Sequence, residues 1–181
     1  GCDTTEDGDE KVTSITSTDT GDKTFYAHWT PLSYNVTLVK NGGTINSGNI
    51  NITSTDDWIH SNGYIIIEDG SLTISSADDG IHADEFVKIN GGKFNITAAE
   101  GIEATYVQIN DGTINISASD DGINAGNKSD KYSVVIEING GNITIKMGQG
   151  DTDGIDSNGN LYINGGTIDI TCNSPFDYDG E

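Results

Sequence analysis

The stretch VKINGGKFNITAAEGIEATYVQINDGTINI, Val87 to Ile116, holds one full period of a pattern that runs through most of the chain. Five and three residues before Gly92, and two and four after it, stand Val87, Ile89, Phe94 and Ile96; the same offsets from Gly112 reach Val107, Ile109, Ile114 and Ile116. Apolar residues alternating at period two describe short β-strands with one buried face. Asn-Gly or Asp-Gly between them marks a tight bend where positive φ is needed.

Outward from this stretch, the turn glycines 48, 70, 92, 112, 141 and 166 recur every 20 to 29 residues, the period of a solenoid. The inward residues repeat around them as Ile65, Ile67, Leu72 and Ile74, as Ile136, Ile138, Ile143 and Ile145, and as Leu161, Ile163, Ile168 and Ile170. Each coil also carries an acid turn: DDWIHS (Asp56 to Ser61), SADDGIHA (Ser76 to Ala83), AEGIEA (Ala99 to Ala104), DDGINA (Asp120 to Ala125) and TDGIDS (Thr152 to Ser157). Their isoleucines Ile59, Ile81, Ile102, Ile123 and Ile155 supply a third short strand per coil. The expected fold is all-β, a right-handed parallel β-helix over residues 33–181, a solenoid of about six three-strand coils. Surplus residues near GNKSDKYS (Gly126 to Ser133) and MGQGDT (Met147 to Thr152) are expected to bulge as loops and to wall a groove.

Twenty-nine acids face eight bases, all of them lysine, for a net charge of −21. So acidic a surface repels phosphate backbones and anionic membranes and attracts divalent cations, which excludes nucleic acid as an expected partner. No apolar run reaches the length of a transmembrane helix, so no membrane insertion is expected. Cys2 and Cys172 lack metal-ligand spacing and are expected as unpaired thiols, Cys172 as a small core residue. The chain starts and stops abruptly, as though cut from a larger multidomain protein, and the solenoid is expected to be truncated at its C-terminal end.

Registered coils place equivalent residues in columns about 4.8 Å apart. One column holds Asp57, Asp79, Glu100, Asp121 and Asp153; beside it run Asp56, Asp78, Asp120 and, one residue off, Asp151; a third contains His60, His82, Glu103, Asn124 and Asp156. Stacked carboxylates repel one another, and a calcium ion gripped between successive coils removes the conflict. Zinc and iron are disfavoured at this level, because soft ligands are scarce and His60 and His82 fall on separate coils. Among aromatics off the inward positions, Trp58, Tyr64, Tyr106 and Tyr132 are the candidates for stacking on sugar rings, with Phe86 and Tyr162 of the same kind.

These motifs carry two resemblances. GDKTFYAHWTP (Gly21 to Pro31) resembles the end of the Listeria–Bacteroides B-repeat, so residues 1–32 read as a partial module or linker; YNVTLVKNGGTI (Tyr34 to Ile45) resembles the opening of another. From about residue 45 onward, SADDGIHA, SASDDGINA and GDTDGIDS, each followed by INGG or INDG, and the closing PFDYDG (Pro175 to Gly180), resemble the carbohydrate-binding domain family founded on a clostridial cell-surface protein. That resemblance implies a calcium-bearing β-helix, an extracellular bacterial location, and binding of plant cell-wall polysaccharide, acidic pectin such as polygalacturonate, or cellulose. Asp153, Gly154 and Asp156 are also similar to the calcium site of β-helical pectate lyases. A lyase would need a lysine of depressed pKa as its base, from Lys88, Lys128, Lys131 or Lys146, each of which reads as a plain surface charge. The preferred expectation is a non-catalytic binding module, with a calcium-dependent lyase or an adhesin stalk as the alternatives.

Overall fold

A computed structural model describes residues 41–75, 78–150 and 152–180, together with Cys2–Asp3, Lys11–Val12, Asp22, Thr24 and Tyr26–Ala27. The chain divides into two compact units, Gly1–Asn35 and Val36–Glu181. In the first, Cys2–Asp3 pairs antiparallel with both Lys11–Val12 and Tyr26–Ala27. The residues on which the B-repeat ending turns, His28, Trp29 and Pro31, lie outside the described set.

The second unit is a parallel β-solenoid of about six turns, with no helix among the described residues. Its strands form three stacks. The first runs Asn49–Thr53, Ser71–Ser75, Lys93–Ala98, Thr113–Ala118, Asn142–Met147 and Thr167–Thr171, every neighbouring pair parallel. The second follows the acid turns, and its column of Cα partners reads Ile59, Ile81, Ile102, Ile123, Ile155, Phe176. The third lies before the glycine turns and aligns Ile45, Ile67, Ile89, Ile109, Ile138 and Ile163. Its first strand, Gly42–Ile45, comes from the stretch that resembles the opening of a B-repeat. Gly43 and Ile45 continue the inward columns of Ile65 and Ile67, so this strand is the first of the solenoid among the described residues.

The inward columns are the core. Ile65, Ile67, Ile81, Val87, Ile89, Phe94, Ile102, Ile109, Ile114, Ile123 and Ile138 are all fully buried, and each such side chain contributes about 1.5–3 kcal/mol by leaving water. The last coil departs from this. Ile163 and Phe176 are exposed and Leu161, Ile168 and Ile170 only half-buried, in strands that pair on one side alone among the described residues. Cys172, in that coil, is a free, half-buried thiol.

Candidate functional site

Two features lie along the second and third stacks. The first is the acid turn. Its backbone climbs from coil to coil by hydrogen bonds from Trp58 N to Asp79 O (3.0 Å), Gly80 N to Glu100 O (2.9 Å), Gly101 N to Asp121 O (3.0 Å) and Gly122 N to Asp153 O (3.0 Å). The glycines permit this approach: a Cβ on Gly101 would stand 2.4 Å from Gly122 O and 2.6 Å from Ile116 Cγ2. The preceding acids are thereby held in register. Asp57 Oδ1 accepts from Asp79 N at 3.4 Å, and Asp121 Oδ1 from Asp153 N at 3.2 Å.

Register alone does not make the acids converge equally. Among the described residues, three groups bring one donor atom each within 4.8 Å of the others: Asp56, Asp57 and Asp78; Asp57, His60 and His82; and Asp79, His82 and Glu103. All lie in the first three coils. Glu100, Asp120, Asp121, Asp153 and Asp156 stand in their columns but outside these groups, and Asp151 lies outside the described residues. His60 and His82 stack with centroids 4.7 Å apart and planes 9° from parallel. Their position on separate coils is what brings them together, because neighbouring coils are one strand spacing apart.

Burial sets the electrostatics. Glu103 is 3% exposed and receives Lys128 Nζ at 2.6 Å, so Lys128 is no plain surface charge. That bond lifts the Lys128 ammonium further above its ordinary value, against a smaller opposing effect of burial. Burial, with the charges of Glu103, Asp79 and Asp121 added, pushes Glu100 up to about 7 despite a hydrogen bond from Asn124. Burial and the acids Asp121, Asp177 and Asp153 push Asp156 up to about 6. Carboxyls raised by their stacked neighbours are what the repulsion within the columns implies, with burial the larger cause at both. For His82, burial favours the neutral ring, but contact with Asp79 and the charges of Glu103, Asp79 and Asp57 prevail and push it up to about 9.

The second feature is aromatic. On the third stack Tyr64 and Phe86 are register partners, stacked at 5.2 Å; Phe86 meets Tyr132 edge-on at 5.3 Å, and Tyr132 lies 6.3 Å from Tyr106. Tyr132 arrives on the loop after Ala125, which folds back over earlier coils. Lys128 N and Ser129 N both donate to Thr105 Oγ1, at 3.0 and 2.9 Å, and Lys131 pairs with Glu85. The loop does wall a groove, of about 390 Å³, lined by Tyr106, Tyr132, Ser133, Val135, Glu137 and Tyr162. Glu137 anchors its floor, accepting from Tyr106 Oη and, at 2.9 Å, from Gln108 Nε2. Below it the turn asparagines form a ladder: Asn110 to Asn90 (2.7 Å), Asn139 to Asn110 (2.9 Å) and Asn164 to Asn139 (2.8 Å).

Of the four aromatic candidates, Tyr64, Tyr106 and Tyr132 come together with Phe86. Trp58 stands apart from them, half-buried against the core, its indole N–H enclosed without a partner. The column that held His60 and His82 as neighbours is as expected, whereas sequence reasoning missed the Lys128–Glu103 bridge and the asparagine ladder. Only the last carried a signal, the Asn that precedes each of these glycine turns.

A parallel β-solenoid with a crowded acid turn and an aromatic groove is the class of protein these features define. Residues 80–178 match the model of the carbohydrate-binding domain-containing protein family, and the chain belongs to that family. A solved structure, described as that of the polysaccharide lyase-like protein from C. thermocellum in a gadolinium derivative, is similar with a TM-score of 0.52. The two are 21% identical over 80% of this chain and 76% of that one, a likeness of fold alone. No curated protein matches the chain.

Proposed function

We propose that this chain is a non-catalytic, calcium-dependent module that binds plant cell-wall polysaccharide, acidic pectin before cellulose, for a protein on the outside of a bacterial cell. The groove carries the reading. Its tyrosines present ring faces, with Tyr132 and Tyr162 exposed, beside the polar atoms of Glu137 and Ser133, and stacking plus edge hydrogen bonds is the chemistry by which a sugar ring is held. Family membership supports the same reading.

The all-oxygen group Asp56, Asp57 and Asp78 fits a hard cation. A calcium ion there would relieve the repulsion that raises the Asp78 carboxyl, chiefly from Asp79, and would offer open positions to a uronate carboxylate. The chain's own net charge of −21 would otherwise repel a polyuronate. Weak extracellular calcium sites are filled at ambient concentrations outside cells. Against lyase chemistry, Lys128 and Lys131 are each held protonated by a carboxylate partner, Glu103 and Glu85, the reverse of what a base requires.

Affinity electrophoresis through polygalacturonate and through a soluble cellulose derivative, each with calcium or with chelator, tests this. Retardation by polygalacturonate that needs calcium, with no unsaturated uronide formed, is the expected result. Accumulating uronide absorbance would transfer the protein to the lyases; no retardation in either gel would make it a stalk.

A further inference from the structure

Asp57, His60 and His82 differ in kind from the rest of the acid column. We propose that they form a site for a divalent transition-metal ion, zinc foremost, different in chemistry from the adjoining hard-cation group with which it shares Asp57. His60 Nδ1 and His82 Nδ1 both face one oxygen, Asp57 Oδ2, at 3.0 and 3.4 Å. A tetrahedral ion with bonds of about 2.0–2.1 Å needs its donors roughly 3.3 Å apart, and these separations fall on that edge. Two imidazole nitrogens and a carboxylate are a borderline-soft set that suits zinc, cobalt or nickel, whereas calcium takes oxygen.

The surroundings of His82 are a second, independent observation. Both of its ring nitrogens are closed off from solvent without an aligned hydrogen bond, although carboxylate oxygens lie near. Its Nε2 is 3.4 Å from Glu103 Oε2, and Glu103 is itself fixed by Lys128. Metal-bound histidines hold their far nitrogen against a buried carboxylate in this way. Asp79 Oδ2, 3.1 Å from His82 Nδ1, stands nearest for a fourth position; otherwise water takes it. The two rings are near parallel, so one must turn to aim its lone pair at a shared ion. His60, 45% exposed, has room to do so, while His82, 15% exposed, sets the site. Further along the same column stand Glu103, Asn124 and Asp156, so nitrogen donors are confined to the first two acid turns.

The test is calorimetric titration of the chelator-stripped, dialysed chain with zinc, repeated in a large excess of calcium, with cobalt as a spectroscopic substitute. Zinc should bind in the presence of calcium, and the cobalt form should show the intense visible bands of four-coordination. His60→Ala and His82→Ala should each weaken zinc by at least about 100-fold, the upper range for losing only an outer-shell partner, while Asp120→Asn leaves it unchanged. Should His82→Ala fail to fold by circular dichroism, the exposed His60→Ala carries the test alone. Zinc displaced by calcium, or bound equally well by folded His60→Ala, would overturn the assignment. Polysaccharide retardation measured in parallel is read separately, so that failure here leaves the carbohydrate reading standing.

Discussion

Lys128 Nζ lies 2.6 Å from the carboxylate of Glu103, which is 3% exposed. With the bonds to Thr105 and Glu85, this contact ties the long loop back onto earlier coils. Lys128 is 39% exposed, so solvent screens part of the attraction, yet its removal leaves a buried carboxylate short of a cation. Lys128→Met should cost about 1–2 kcal/mol in urea unfolding, between the values for exposed and buried pairs. Adding Glu103→Gln should recover part of that loss. Strict additivity of the two changes would show that the pair is not coupled.

Without cations, the acid column should make the solenoid less stable as pH rises. Glu100 goes from an ordinary 4.5 to about 7 and Asp156 from 3.8 to about 6, burial being the largest cause for both. Each binds its proton more tightly when folded. The stability they contribute is complete below the ordinary values and is lost as pH climbs through the folded ones. The melting temperature of chelator-treated protein should therefore fall between mildly acid and neutral pH. A melting temperature that rose over that interval would mean these carboxyls are better solvated than their burial implies.

The core was legible because its grammar is local. Val87, Ile89, Phe94 and Ile96 each sit at a fixed offset from a turn glycine, and all four are buried as that spacing requires. The acid columns followed from register by the same reasoning. What stayed hidden depends on contacts that spacing does not encode. Register also placed His60 beside His82, 22 residues on, but not the side-chain turn that brings both Nδ1 atoms to Asp57. Lys128 reaches Glu103 because its loop folds backward onto Thr105, a choice made by loop conformation after the periodic signal has lapsed. Trp58, bulky where the other acid turns carry glycine, lies half-buried against the core, a placement that spacing alone does not encode.

The glycine column should be intolerant in a graded way. Gly101→Ala would drive a Cβ to 2.4 Å from a backbone oxygen of the next coil, and neither coil can yield without breaking its ladder. A loss of at least about 1–3 kcal/mol is expected. At Gly148, by contrast, the nearest atom to an added Cβ is Ser119 Cα at 3.5 Å, ordinary contact. Gly148→Ala should change the urea midpoint little, and equal sensitivity at both positions would deny that close coil approach is the reason for Gly101.

The groove tyrosines should divide by exposure. Tyr132 and Tyr162 are 39% and 48% exposed and offer ring area to a sugar, whereas Tyr106 is half-buried and its hydroxyl is committed to Glu137. Burial, reinforced by that bond and the carboxylate's charge, pushes the Tyr106 phenol up to about 12, so it stays a neutral donor at any working pH. Tyr162→Ala removes a face and little else, and should weaken polysaccharide retention by about 1 kcal/mol, roughly fivefold, with the melting temperature preserved. Tyr132→Ala should lose the same contact and also the loop's packing on Phe86, so retention and stability fall together. Tyr106→Phe keeps the ring and frees Glu137 from its phenolic donor, which should cost stability more than binding. Retention that survives Tyr132→Ala and Tyr162→Ala combined would move the sugar off this groove.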